Sequence, residues 1–165
     1  MQIIPLLSKE LDNEAAITRK MLSRIPDDKY DWKPHEKSMN IRQLAAHIAE
    51  IPGWIAMALN TSELDFAKGD YKPTVVNSTQ EVLDILEQSV ASAKNSLENA
   101  KEEDLLPDWT MRNGDQVYMV LSKYEVIRHA FAQIIHHRAQ MGVYLRLLNV
   151  PIPGTYGPSA DEMGF

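Results

Sequence analysis

The stretch "HAFAQIIHHRAQ", residues 129–140, holds three of the chain's five histidines. Imidazoles so close together suggest a transition-metal site, because neutral imidazole is a good ligand for zinc, copper, iron and nickel. On a helix, successive residues turn by 100°, so His129, Gln133, His136 and His137 fall within an arc of about 100°. Height along the axis narrows that set. His129 and His137 are eight positions apart, about 12 Å, too far to share an ion through bonds of ~2.0–2.1 Å. A single helix offers two ligands at i and i+3 or i+4. Only Gln133 with His136, or Gln133 with His137, has that spacing. His136 and His137 point about 100° apart, so at most one of them serves. The segment thus supplies one histidine, with a glutamine where a second would stand.

A further histidine must come from another element, and His47 is the candidate. It sits at the edge of an apolar stripe, where an imidazole can face the interior. The commoner fate of such a histidine is a hydrogen bond to a backbone carbonyl. His35 lies in a polar loop and reads as a surface residue.

Four helices must position these side chains. The first runs from about Ile3 to Ile25, with Leu7, Leu11, Ala15 and Leu22 on one face; Pro26 marks its stop. The second follows Asn40, an N-cap with Gln43 three residues on to complete a capping box. Its stripe is Ile41, Leu44, Ile48, Ile51 and Ile55, and Pro52 within it predicts a kink near residues 47–52. The third starts at Ser78 with Glu81 as capping-box partner, and the fourth at Ser122 with Glu125, running to about Leu148. "NTSELDFAKGDYKPTVVN" reads as a connection. Asn113-Gly114 between β-favouring runs predicts a hairpin near residues 109–119, of two short strands at most. The last residues, "NVPIPGTYGPSADEMGF", read as an extended tail. The expected fold is all-α: a four-helix bundle with long connections, that small β-hairpin and the C-terminal tail, as one domain over 1–165.

Composition excludes several functions. The formal net charge of −6 argues against a nucleic-acid surface, which needs a positive field. With no cysteine, the chain has no disulfide, thiol nucleophile or thiolate ligand. No apolar run approaches the ~20 residues of a membrane span, and the N-terminus reads as a helix start rather than a signal peptide. A cytoplasmic protein is expected.

Residues 31–54 ("DWKPHEKSMNIRQLAAHIAEIPGW"), 129–154 ("HAFAQIIHHRAQMGVYLRLLNVPIPG") and 156–162 ("YGPSADE") carry a resemblance to the DinB/YfiT-like family of metal-binding four-helix-bundle proteins. The resemblance covers nearly the whole chain in order. In that family a histidine on helix two and an H-x-x-x-H pair on the last helix, followed by Arg and Gln, bind a divalent metal such as nickel, zinc, iron or manganese. By position these fall on His47, Gln133 and His137, with Arg138 and Gln140 completing the motif. The chain departs from the family at Gln133, whose carbonyl oxygen is a harder, weaker ligand than imidazole for nickel or zinc. Three outcomes stay open: weak metal binding through His47, His137 and Gln133; recruitment of His129, which its height disfavours; or an empty site in which Gln133 hydrogen-bonds His137 or His47.

The resemblance also implies function. It points to a metal-dependent transferase, isomerase or hydrolase acting on a small-molecule ligand, with an external small thiol as possible co-reactant, and to a homodimer. Glu50, one turn from His47, is a candidate acid or base, or a solvated helix residue. Arg138 is a candidate for holding an anionic group, or an inter-helix salt bridge. Trp54, Trp109 and Tyr144 could wall a pocket, or be core. Tyr156, Asp161 and Glu162 could bring the tail over its mouth. The alternative is a metal-free stress-response or binding bundle without catalysis.

Overall fold

The computed structural model describes residues 2–69 and 74–162. Among these, five α-helices and a three-stranded sheet make up the fold: α1 Ile4–Leu22, α2 Ile41–Glu50, α3 Gly53–Asn60, β1 Glu63–Asp65, α4 Thr79–Asn99, β2 Asp108–Asn113, β3 Gln116–Ser122 and α5 Lys123–Leu147. Pro52 does more than kink the second expected helix. It lacks an N–H to continue the ladder, so α2 ends at Glu50 and α3 begins at Gly53.

The helix starts follow their local chemistry. Asn40 and Gln43 form the reciprocal capping box of α2, at 2.9 and 3.0 Å. Ser122 and Glu125 do the same for α5, at 3.3 and 2.8 Å. At α4 the expected box is half formed: Ser78 Oγ accepts from the Glu81 N–H at 3.3 Å, but the Glu81 carboxylate accepts from Asn77 N–H at 2.7 Å instead. The cap of α1 is not local. The Glu102 carboxylate accepts from the N–H groups of Ile3 and Ile4 at 2.9–3.0 Å.

The sheet corrects the expectation of two strands. β2 and β3 form the antiparallel hairpin, and β1 adds parallel to β2 in the order β1-β2-β3. "ELD" carries no β-branched residue, which hid β1 from a reading by propensity. Side-chain pairing holds it there. Asp65 Oδ1 accepts from Gly114 N–H at 2.9 Å, and Arg112 donates to both Glu63 oxygens at 2.9 and 3.1 Å. The turn also shifts by one residue. Asn113 pairs with Gln116, so the loop is Gly114-Asp115, with Gly114 at φ 57°, the left-handed region that favours glycine.

α1 packs on α4 and α5, and so do α2 and α3 from the other side. The apolar stripes are buried as their spacing predicts. Leu22, Leu44, Ile48, Leu86 and Met141 meet at the α2 end. Leu11, Ile55, Leu97, Trp109 and Phe131 meet nearer the sheet.

One polar group crosses this interior. Arg138 of α5 is 2% exposed and Glu14 of α1 is 5% exposed. Arg138 Nη1 donates to Glu14 Oε2 at 2.6 Å and to Thr18 Oγ1 at 3.0 Å. The tail closes the cluster: Tyr156 Oη donates to Glu14 Oε1 at 2.7 Å and accepts from Arg138 Nη2 at 2.8 Å. Removing one partner leaves a buried uncompensated charge. Glu14→Ala is therefore expected to lower unfolding stability by about 3–5 kcal/mol, whereas Glu14→Leu with Arg138→Met should lose much less. Urea unfolding of the two variants checks this, and equal losses would contradict it.

Candidate functional site

α2 and α5 pack against each other, and their facing edges carry the two histidines. The stripe Ile41, Leu44 and Ile48 is sealed in the core, which leaves His47 half-buried at its margin. On α5 the buried residues Ile127, Phe131, Ile134 and Met141 do the same for His137. The two rings lie with centroids 4.6 Å apart and planes at 76°. Two imidazoles bound side by side to one ion, through bonds of ~2.0–2.1 Å, have ring centres about 4.5–5.2 Å apart for angles near 90–110°. The observed separation fits that arrangement.

The hydrogen bonding around the pair is asymmetric. His137 Nδ1 lies 2.8 Å from Gln140 Oε1, one turn further along α5. Among the described residues no group hydrogen-bonds to the His47 ring or to the Gln133 amide, and neither side chain has an unpartnered polar atom sealed from solvent. Half-buried His47 thus does not take the carbonyl partner usual for such a histidine, and Gln133 bonds to neither His47 nor His137. Also among the described residues, no three of His, Cys, Asp or Glu converge for a metal. The histidine pair would need a ligand of another type, such as Gln133.

The remaining candidates scatter. His129 lies beside Trp54, with ring centroids 6.5 Å apart and planes within 9°, and the Trp54 ring in turn lies edge-to-face with that of His47 at a centroid separation of 5.6 Å. His136 is exposed, with its ring 4.9 Å from that of His137. Glu50 accepts a hydrogen bond from Thr74 Oγ1. Arg138 faces α1, with donors on Glu14, Thr18 and Tyr156. Of the aromatics, Trp54 borders the pair. Trp109 is fully buried, with its indole N–H on Thr61 Oγ1 at 2.9 Å, and Tyr144 pairs with Trp32 at 5.6 Å. His35 Nδ1 accepts from Lys37 N–H within its exposed loop. The tail runs elsewhere. Asp161 pairs with Arg146, Glu162 accepts from Gly154 N–H, and Tyr156 reaches Glu14. The contact that sequence reasoning left without a role is Gln140 on His137; its i,i+3 spacing was the available signal.

A model of the DinB family matches residues 4–164. The chain belongs to the DinB family. The uncharacterized protein YrdA of Bacillus subtilis is 24% identical over 154 residues, covering 93% of this chain and 88% of that protein. A DinB-like protein of B. subtilis has a TM-score of 0.71 at 18% identity, covering 93% of this chain and 99% of its own. A mycothiol-dependent maleylpyruvate isomerase shares the fold at TM-score 0.61 and 11% identity, over 84% of this chain and 60% of its own. Among the described residues, no helix is long and apolar enough to cross a membrane.

Burial, and then the neighbouring charge of His137, pushes the His47 imidazole below its usual value. The folded protein therefore holds His47 neutral where the unfolded chain would take up a proton. The stability this gives is complete above about pH 6.5 and is lost as pH falls through the lowered folded value. In protein stripped with EDTA, His47→Gln should flatten the decline in melting temperature between about pH 7 and about pH 5. His35→Gln should leave that decline unchanged. A wild-type slope in His47→Gln would contradict the assignment.

Proposed function

We propose that this DinB-family protein binds a divalent cation (nickel, zinc, iron or manganese) through His47 and His137, with Gln133 as a weaker third ligand. On this reading it is an enzyme acting on a small molecule together with an external thiol, in a transferase or isomerase reaction. The observation that carries the reading is the histidine pair itself: two imidazoles at 4.6 Å, one of them half-buried with no protein partner among the described residues. The missing bond from Gln133 to either ring also favours a site kept open over one closed by its own side chains. A neutral His47 suits a ligand, since coordination requires the unprotonated ring. When bound, the ion would supply Lewis acidity to a water or thiol in its remaining positions. The thiol must come from outside, because the chain has no cysteine, and the mycothiol-dependent fold relative makes a small thiol the natural choice.

The chain's own residues divide the remaining work. Glu50, three positions after His47 on α2, is the acid–base group of this reading. Trp54 walls the groove beside His47. Arg138 belongs to the packing of α5 on α1 rather than to the substrate, because both its Nη nitrogens are engaged by Glu14, Thr18 and Tyr156. We further read α1, the α2–α3 pair, α4 and α5 as the four rods of a bundle, in a single domain that associates as a homodimer.

The second reading, a metal-free binding bundle, draws on the absence of a third His, Cys, Asp or Glu beside the pair among the described residues. Adding metal separates the two. Nickel, zinc or manganese at about a hundred times its dissociation constant should stabilise the native protein by about 2.7 kcal/mol, read as a rise in melting temperature. His47→Ala and His137→Ala should each abolish the rise. Gln133→His should bind at least about tenfold more tightly, since imidazole replaces an amide oxygen. No rise with any of the three ions, in wild type and Gln133→His alike, would leave the metal-free reading standing.

A further inference from the structure

We infer that Gln140 is a positioning residue: it holds His137 in the Nδ1–H tautomer, so that Nε2 is the nitrogen left free to bind an ion. The metal half of this inference rests on the function proposed above; the tautomer half does not. Gln140 and His137 are three positions apart on α5, where side chains share a face. The contact is 2.8 Å, from His137 Nδ1 to Gln140 Oε1. An amide oxygen carries no hydrogen, so the bond needs the proton on Nδ1. A neutral imidazole has only one N–H, and Nε2 then keeps its lone pair. Gln140 is exposed, and the His47 ring centroid lies 4.6 Å from that of His137. The Gln140 amide oxygen thus gives the His137 ring a side-chain acceptor within its own helix. His47 has no such partner among the described residues, so the two rings differ: His137 takes a side-chain hydrogen bond, whereas His47 meets the rings of Trp54 and His137. Acceptors of this kind behind a metal-binding histidine set its tautomer, orientation and basicity.

The test reads the tautomer directly. Long-range proton–nitrogen spectra of metal-free, nitrogen-15-labelled protein at about pH 8 distinguish the two neutral forms of each histidine, and loss of a signal in His137→Gln assigns it. Wild-type His137 should be the Nδ1–H form. Gln140→Leu should release it to a mixture, and Gln140→Glu, which keeps an acceptor, should restore it. Calorimetric titration with zinc and with nickel should then show Gln140→Leu weakened about 10- to 100-fold and Gln140→Glu close to wild type. A wild-type Nε2–H form, or a tautomer unmoved by Gln140→Leu, overturns the inference. If the tautomers respond as expected while neither ion binds wild type, Gln140 still positions His137, and the metal reading is what fails.

Discussion

The rotation of α5 about its own axis depends on one buried interaction, the ion pair of Arg138 with Glu14. Neighbouring positions on a helix point about 100° apart. Turning Arg138 inward to α1, where Glu14, Thr18 and Tyr156 satisfy it, obliges His137 to look toward α2. There it meets His47. A buried pair of this kind adds little net stability over an apolar equivalent, but its geometry is exacting and its disruption is costly. Its contribution is therefore orientation: any other rotation of α5 would strand a guanidinium in the core and carry His137 away from its partner. Adjacent residues of one helix thus face the core and the histidine pair.

Much of this was legible in the sequence because it is local. Asn40 with Gln43, and Ser122 with Glu125, announce helix starts through bonds three residues long, and apolar spacing gives the faces. What escaped depends on partners far along the chain. β1 has a sequence with no strand preference and is held by Arg112 and Gly114. The Gly114-Asp115 turn was placed one residue early, because either residue pair of Asn113-Gly114-Asp115 suits a tight loop and the strand register decides between them. Pro52 signals a break in the helical pattern, and α2 ends at Glu50. Whether a proline bends a helix or divides it depends on how the following turn packs.

The candidate site shows the same division. Helical height alone separated His129 from His137, and the structure sets His129 beside Trp54 instead. The approach of His47 to His137 spans two helices and ninety positions, so no spacing rule could give it; the place of His47 at the edge of an apolar stripe and the family resemblance both pointed to that residue. The motif alone gives Gln140 no role; its contact with His137 Nδ1 is a side-chain matter. Gln133 could be recognised as a departure, but whether it closes the site is a matter of side-chain contacts. Those contacts leave it unbonded to either ring.

The cap on α1 has a consequence for the order in which the chain can assemble. Its first N–H groups are satisfied by Glu102, a side chain 98 and 99 positions downstream, and its buried Glu14 waits for Arg138, 124 positions away. During synthesis α1 emerges long before either partner exists. Most helical stability in proteins comes from tertiary packing rather than propensity, so α1 gains its full stability only once these later partners are in place. Closing such distant contacts carries a loop-entropy cost that slows folding. Until α4 and α5 have been made, α1 lacks the helices it packs on and Leu7 and Leu11 stay uncovered; apolar surface exposed in this way is prone to aggregation.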